Sequence, residues 1–366
     1  MHNTPNTYSC NSPGKAGNKS EKKLATIRDV AERAGISVKT VSRFLSGYEG
    51  ISAKTIEKIE RAAEELEFFP SAAARTLRGH STNIVSLIAE NLTTTPFSYE
   101  IVQGVQSVCE ARGKLLLIGE TRESDAAFDQ LTDRFRQQKT EAIIHATFYH
   151  KPDEIKRQFK HCPLVLVNCF DPEGRFHSVV PDDEQGSYDL TRFLIEEGHR
   201  RIANITLPTD LVATQLRQQG FERAMADSGA EIHPSWIVHP QRLRPSEDIE
   251  WLGSVLESLL ESSNPPTAIM CGNDKMALRV IMQLHDHELK VPGDVTVVGF
   301  DDFKVISENI IPSLTTASLP YFNMGQRAAE LAIEIAEGSK PPVRVERSHC
   351  DVIKRESHAA VTVDTE

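Results

Sequence analysis

Residues 26–47 read TIRDVAERAGISVKTVSRFLSG, which has the form of two short helices joined by a tight turn. Thr26 stands three residues before Asp29, an acidic version of the capping box. Ile27, Val30, Ala31 and Ala34 follow at helical spacing. Gly35 is placed to end that helix, as a residue that takes positive φ without penalty. Ser37 is placed to cap a second helix running from Val38 to about Ser46.

The second helix divides into faces. Val41 and Leu45 lie four apart and turn inward, while the pairs Val38/Ser42 and Lys39/Arg43 turn outward. An outward face that begins with Lys and Ser and carries an Arg one turn on suits the major groove of DNA. An ordinary helical hairpin with solvated charges would look similar. A third element narrows the choice: Ser52 caps AKTIEKIERAAEELEF, with Ile56, Ile59, Ala63 and Leu66 along one stripe. Three short helices of this kind make a helix-turn-helix bundle. Pro70 and SAAARTLRG (71–79) come next.

Here the sequence resembles the LacI family of transcription regulators. The resemblance is carried by TIRDVAERAGIS, TVSR, the SAKT that opens the third helix, and PSAAARTLRG. It implies that Val38, Lys39 and Arg43 read base edges and that Thr26, Ser37, Thr40 and Ser42 contact phosphates. Lys39 and Arg43 can donate to guanine, and Val38 offers apolar contact to a thymine methyl; Lys39 touching phosphate alone is the other reading. Residues 70–82 are expected to be a hinge, with one short helix over 72–77 that forms only when a second copy and DNA support it. The resemblance makes Leu77 a minor-groove wedge, with Ala74 and Arg78 beside it. Packing of Leu77 against the body is the alternative.

Charge distribution agrees with a DNA-reading head. The chain of 366 residues carries a net charge of −11. Residues 1–80 hold 13 Lys and Arg against 9 Asp and Glu, so the head is basic and the remainder strongly acidic. The six cysteines show no CxxC pair and no regular framework, so we expect small buried hydrophobes in a reducing cytosol. No apolar run approaches a membrane span. Residues 1–23 lack the apolar core of a secretory signal and are expected to be a disordered tail, in a cytoplasmic protein.

Beyond residue 83 the period changes. The apolar runs IVSLIA (84–89), LLLIG (115–119), AIIHA (142–146), PLVLVN (163–168), IANIT (202–206), TAIMCG (267–272) and VTVVGF (295–300) alternate with helical patterns. This is the signature of parallel sheets covered on both faces. A break near Pro181 divides the runs into two α/β groups. The resemblance supplies the rest: two Rossmann-like lobes of the periplasmic-binding-protein type, with three crossings between them. The expected organisation is a helix-turn-helix domain over 24–69, the hinge over 70–82, and a ligand-binding and dimerisation body over 83–366. Lobe 1 would take about 83–182 and 320–347, and lobe 2 about 183–319 and 348–366.

Ligands of open parallel sheets bind beyond the carboxyl ends of the strands. Residues following the runs are therefore candidates: Asn91, Phe97, His145 and Asn168 in the first group, and Arg217, Asn273 and Asp301 in the second. In the resemblance, ligand contacts map onto Arg217, Asn273 and Asp301. An Arg fork, a carboxylate and an amide suit adjacent hydroxyls, so a sugar or sugar derivative is the expected effector, with a purine or nucleoside as the alternative. His145 is equally readable as a satisfied structural residue, and Phe97 as plain packing. No phosphate-binding glycine loop, HExxH or GxSxG motif is present, and the histidines have no metal-ligand spacing. Neither enzyme, cofactor nor metal is expected. Aspartates 301 and 302 would point to opposite sides of an extended segment. The expectation is a homodimeric repressor on a pseudo-palindromic double-stranded operator, released by its effector. A sugar-transport protein that shares the body is the rival from another class. The chain end, KRESHAAVTVDTE, lacks heptads, which favours a dimer over a zipper-linked tetramer.

Overall fold

The computed structural model describes residues 25–46, 48, 50–68, 82–91, 98–122, 124–160, 162–240 and 245–361. The expected N-terminal tail, all of the expected hinge except Thr82, and with it Ala74, Leu77 and Arg78, lie outside these residues, as does Phe97. The chain forms two units, residues 1–82 and 83–366.

In the first unit, α1 spans Ile27–Ala34, α2 Val38–Leu45 and α3 Ala53–Glu65. Each has the cap its sequence calls for. The Thr26 hydroxyl accepts from the Asp29 N–H while the Asp29 carboxylate accepts from the Thr26 N–H, so both halves of the capping box are made. Ser37 accepts from Thr40 N–H and Ser52 from Thr55 N–H. Gly35 adopts φ +65°, and the Ile36 N–H reaches back to Ala31 O, the Schellman closure that requires a left-handed residue. Val30, Ala31, Val41, Ile59 and Ala62 are buried together at the centre.

The second unit holds two six-stranded sheets. The first sheet is built from β1 Ile84–Glu90, β2 Leu115–Thr121, β3 Ala142–Pro152, β4 Leu164–Phe170, β5 His177–Pro181 and β11 Val345–Ser348, in the order β11-β5-β4-β3-β1-β2. Its helices are α4 Ser98–Ala111, α5 Asp125–Gln137 and α11 Tyr321–Ala336. The second sheet is built from β6 Ile202–Ile205, β7 Ile237–Val238, β8 Ala268–Cys271, β9 Thr296–Asp301, β10 Thr315–Ser318 and β12 Val352–Ile353, in the order β12-β10-β9-β8-β6-β7. It carries α6 Asp183–Glu196, α7 Val212–Asp227, α8 Pro245–Leu260, α9 Asp274–Asp286 and the short α10 Lys304–Ser307. All strand pairs are parallel except β10 with β12. Every residue of β1 is buried, as expected for strands covered on both faces. The chain passes from the first sheet to the second after β5, returns after β10, and leaves again after β11. Two Rossmann-like lobes with three crossings are the result, as the resemblance implied.

Two local features position the site. The first is in β3 and β4, whose register jumps from Ala146↔Val167 to Lys151↔Cys169. Residues 147–150 are thereby thrown out of the ladder as a long bulge, which re-aims their side chains. Opposite them Asn168 takes φ +59°, and its amide donates to the carbonyls of Thr147 and Phe148. The second is the close contact of α6 with α7. A Cβ on Gly220 would sit 2.1 Å from Glu184 O, so only glycine permits the backbones to approach this closely. Gly220→Ala should push the helices apart at a cost of about 1–3 kcal/mol, read as a melting temperature several degrees lower. An unchanged melting temperature would mean that the helices separate freely.

Asp301 is the last residue of β9 and Asp302 lies just beyond it, so the two do not share an extended segment. They take φ +126° and +54° at the end of β9, where the chain turns sharply into α10. Asp302 accepts from Ser307 Oγ and pairs with Arg355 at 2.7 Å, so it belongs to the turn. The five described cysteines are all unpaired and buried. Among the described residues no helix is long and apolar enough to cross a membrane.

Candidate functional site

The first unit presents one face of α2. Val38 is 43 % exposed although apolar. Lys39 and Arg43 are exposed, Thr40 and Ser42 are half-buried, and Thr26 and Ser37 stand exposed at the two helix starts. Val41 on the opposite side is fully buried. Phe44 and Leu45 pack against the core, so the inward face is wider than Val41 and Leu45 alone. The Arg43 guanidinium lies over the Tyr48 ring at 5.2 Å, which restrains it near the end of the helix. A three-residue turn, two short helices and a cationic face at the start of the second form the apparatus that enters a major groove.

Between the lobes of the second unit is a cavity of about 230 Å³. Lobe 1 contributes Phe148, Tyr149 and His150 from the β3 bulge, Asn168 and Tyr321; lobe 2 contributes Leu207, Arg217, Asn273 and Asp301. Of the seven expected ligand residues, Asn168, Arg217, Asn273 and Asp301 meet here. Asn91 does not line the cavity. It closes β1 with φ +52°, its N–H on Thr121 O. His145 does not line it either. In β3, Ala142, Ile144 and Ala146 face one core and Ile143 the other. His145 follows the parity of Ile143, lies edge-on to Phe128 of α5, and borders a separate pocket of lobe 1.

Arg217 is the centre of the cavity floor. It sits in the second turn of α7, which begins at Val212 without a side-chain cap; the sequence places the residue nearer a helix start. Its Nε donates to Asp183 Oδ1 at 2.7 Å, its Nη1 donates to Gly272 O at 2.7 Å, and the guanidinium stacks on Phe300 at 3.6 Å. Asp301 Oδ1 is 3.8 Å from Nη1. Asp183, fully buried, also pairs with His150 Nδ1 at 2.7 Å. Lobe 1 is thus joined to lobe 2 by a buried run of His150, Asp183 and Arg217. Burial alone would raise the Asp183 carboxyl, but Arg217 and His150 hold it below its ordinary value. Burial pushes Asp301 well above the usual carboxylate range, against the pull of Arg217. The floor therefore combines a guanidinium paired with Asp183 and a carboxyl that burial pushes upward. Asn273 caps α9, accepting from Met276 N–H.

Chemically this is a site for a hydroxyl- or amide-bearing molecule, with Lys275 as a further cation in the lining. Guanidinium, amide and carboxyl converge at the floor, and Phe148, Tyr149 and Tyr321 supply apolar faces. Reading the sequence alone missed His150 and Asp183. Both act through partners far away in the chain, and the AIIHA run gives no sign of the bulge after it. Asp183 had one available signal, its place at the start of a helix just after a crossing.

Comparison with known proteins agrees with this fold. Residues 26–71 match the family described as bacterial regulatory proteins, lacI family, and residues 191–358 match a periplasmic binding protein-like domain. The ribose operon repressor of Escherichia coli K12 is 31 % identical, over 85 % of this chain and 92 % of that protein. The HTH-type transcriptional repressor PurR of Vibrio parahaemolyticus is 29 % identical, over 91 % and 98 %. Among solved structures, the lac repressor dimer bound to operator and the anti-inducer ONPF superimposes with a TM-score of 0.77 at 24 % identity, covering 92 % of this chain and 100 % of that chain. That last similarity is one of fold.

Proposed function

Because this chain belongs to the lacI family of bacterial regulatory proteins and is a DNA-binding transcriptional repressor by that membership, we propose that it represses carbohydrate-utilisation genes and leaves its operator when a sugar-type effector occupies the interlobe cavity. The observation that supports this most is the cavity itself. It joins the lobes through His150, Asp183 and Arg217 and offers convergent groups for adjacent hydroxyls. A ligand that favours one lobe arrangement over another shifts the equilibrium between operator-competent and incompetent states. The protein acts in the cytoplasm as a homodimer whose two heads read two half-sites of a pseudo-palindrome. It acts by binding and not by turnover. A second reading, a purine or nucleoside as corepressor, draws on the aromatic wall of Phe148, Tyr149 and Tyr321, which suits a planar base.

Fluorescence anisotropy on DNA from upstream of its own and neighbouring genes, with a panel of sugars and nucleosides, tests the proposal. Release by one sugar is the expected result. Binding that appears only with a nucleobase selects the second reading, and no DNA binding under any condition defeats both.

In the head, we assign base reading to Val38, Lys39 and Arg43, and phosphate contacts to Thr26, Ser37, Thr40 and Ser42. Ala74, Leu77 and Arg78 would bind the minor groove, and Asn168, Arg217, Asn273 and Asp301 the effector. Lys39→Ala should cost about 1–3 kcal/mol on the specific site and relax preference at one base pair. A uniform loss across all sequences, with the salt slope reduced by about one, would instead place Lys39 on phosphate.

A further inference from the structure

On the opposite face of the lobe 1 sheet from α4 and α11, the β3 bulge has a second consequence. His145 leaves β3 just before it, and Asp153 follows just after it, its N–H bonded to Phe170 O at 2.8 Å. On β4 the positive φ of Asn168 breaks the alternation, so Cys169 enters the same core as Leu166. Three residues of different chemistry therefore meet. The possible ligand atoms of His145, Asp153 and Cys169 all lie within 4.8 Å of one another.

The bonding of His145 points to a cation. Its Nδ1 faces Ile88 O at 3.2 Å, and its Nε2 faces Asp153 Oδ2 at 2.8 Å. A carbonyl oxygen only accepts, so Nδ1 carries hydrogen and donates. Nε2 of a neutral ring then directs a lone pair at a carboxylate. Either an added proton or a metal ion at Nε2 resolves that clash. Donation of Nδ1–H to a backbone carbonyl is also the usual outer-shell arrangement for a histidine that ligates through Nε2.

We propose that His145 Nε2, Asp153 Oδ2 and Cys169 Sγ form a site for a borderline-soft divalent ion such as Zn2+, with its open position facing the lobe 1 pocket. That pocket, about 140 Å³, is bordered by both His145 and Asp153, while Cys169 lies beneath them, fully buried. Imidazole, carboxylate and thiolate together are a zinc donor set, and three protein ligands leave one position for water. A tetrahedral ion brings its donors to roughly 3.5 Å of one another, so side-chain rotation must open the His145–Asp153 pair, now at 2.8 Å, and seat the three donors, all within 4.8 Å, around one point. Burial holds the Cys169 thiol protonated; metal entry displaces that proton to solvent as the S–metal bond forms. The ammonium of Lys151, on Glu90 Oε1 at 2.8 Å, is the nearby charge the ion must tolerate. An ion here would tie together both ends of the bulge that carries Phe148, Tyr149 and His150 into the interlobe cavity.

The test is a Co2+ titration of the full-length protein followed by optical absorption. One equivalent per chain should produce a thiolate-to-cobalt charge-transfer band and the intense visible bands of a four-coordinate ion. Cys169→Ser should remove the charge-transfer band. Asp153→Asn, at a partly exposed position, should keep the band and weaken binding by at least about tenfold. A wild-type titration without the band overturns the site. A band unchanged in Cys169→Ser also overturns it, by placing the ion on other cysteines. If Cys169→Ser does not fold, an unaltered affinity in Asp153→Asn overturns it equally.

Discussion

Replacing Arg217 by alanine is expected to abolish the response of operator binding to effector and to destabilise the body by about 3–5 kcal/mol. The guanidinium is the main counter-charge of Asp183, which has no exposed surface. Without it a buried carboxylate keeps only His150. The stack on Phe300 and the bond to Gly272 O are lost as well. For a unit of this size the melting temperature should fall by on the order of 10 °C. Operator affinity measured well below that temperature should persist, because the head has its own core. Asp183→Asn should fall between wild type and Arg217→Ala, since an amide still accepts from Nε but carries no charge. The two readouts separate structure from recognition: melting reports the ion pair, and anisotropy with effector reports the site. A normal effector response in Arg217→Ala would remove that residue from the site even if the body were less stable.

The second large effect concerns the head. Val41→Asp should unfold residues 26–68 and reduce specific operator binding by at least about a thousandfold, to the non-specific level. Val41 is fully buried among Val30, Ala31, Ile59 and Ala62. An unpaired carboxylate there costs several kcal/mol, and a unit this small has little more than that in total. Melting of the body and effector binding should be unaffected. Retained operator binding would mean that the three helices are supported by something other than their own core.

The head was almost wholly legible because its determinants are local. Caps at Thr26, Ser37 and Ser52, the left-handed Gly35 and the 3.6-residue stripes act within a few residues of each other. The central strands were legible as continuous apolar runs, since both their faces are buried. The shortest strands were not. Thr315–Ser318, Val345–Ser348 and Val352–Ile353 are short and polar enough to pass for loops, and only pairing with their sheet neighbours makes them strands. Of the fourteen residues that line the cavity, Asn168, Asn273 and Asp301 followed from looking at the ends of the runs, and Arg217 from the family resemblance. His150 and Asp183 could not be found that way, because their significance lies in a pairing across 33 positions. His145 was reachable by strand parity: counting from Ile143 places it on the α5 side.

The final crossing has a kinetic meaning for synthesis on the ribosome. The first sheet gains its edge strand β11 and its covering helix α11 only from residues 321–348. Until they emerge, Leu87, Ile144 and Val165 have only α4 over them and lack the rest of the apolar surface that buries them. With translation at about 5–20 residues per second, lobe 1 waits on the order of ten seconds or more between its fifth strand and its completion. Lobe 2 is nearly continuous in the chain and waits only across α11 and β11 for its edge strand β12. The nascent polypeptide therefore holds lobe 1 open while nearly all of lobe 2 is made, and that interval is when a chaperone would find it.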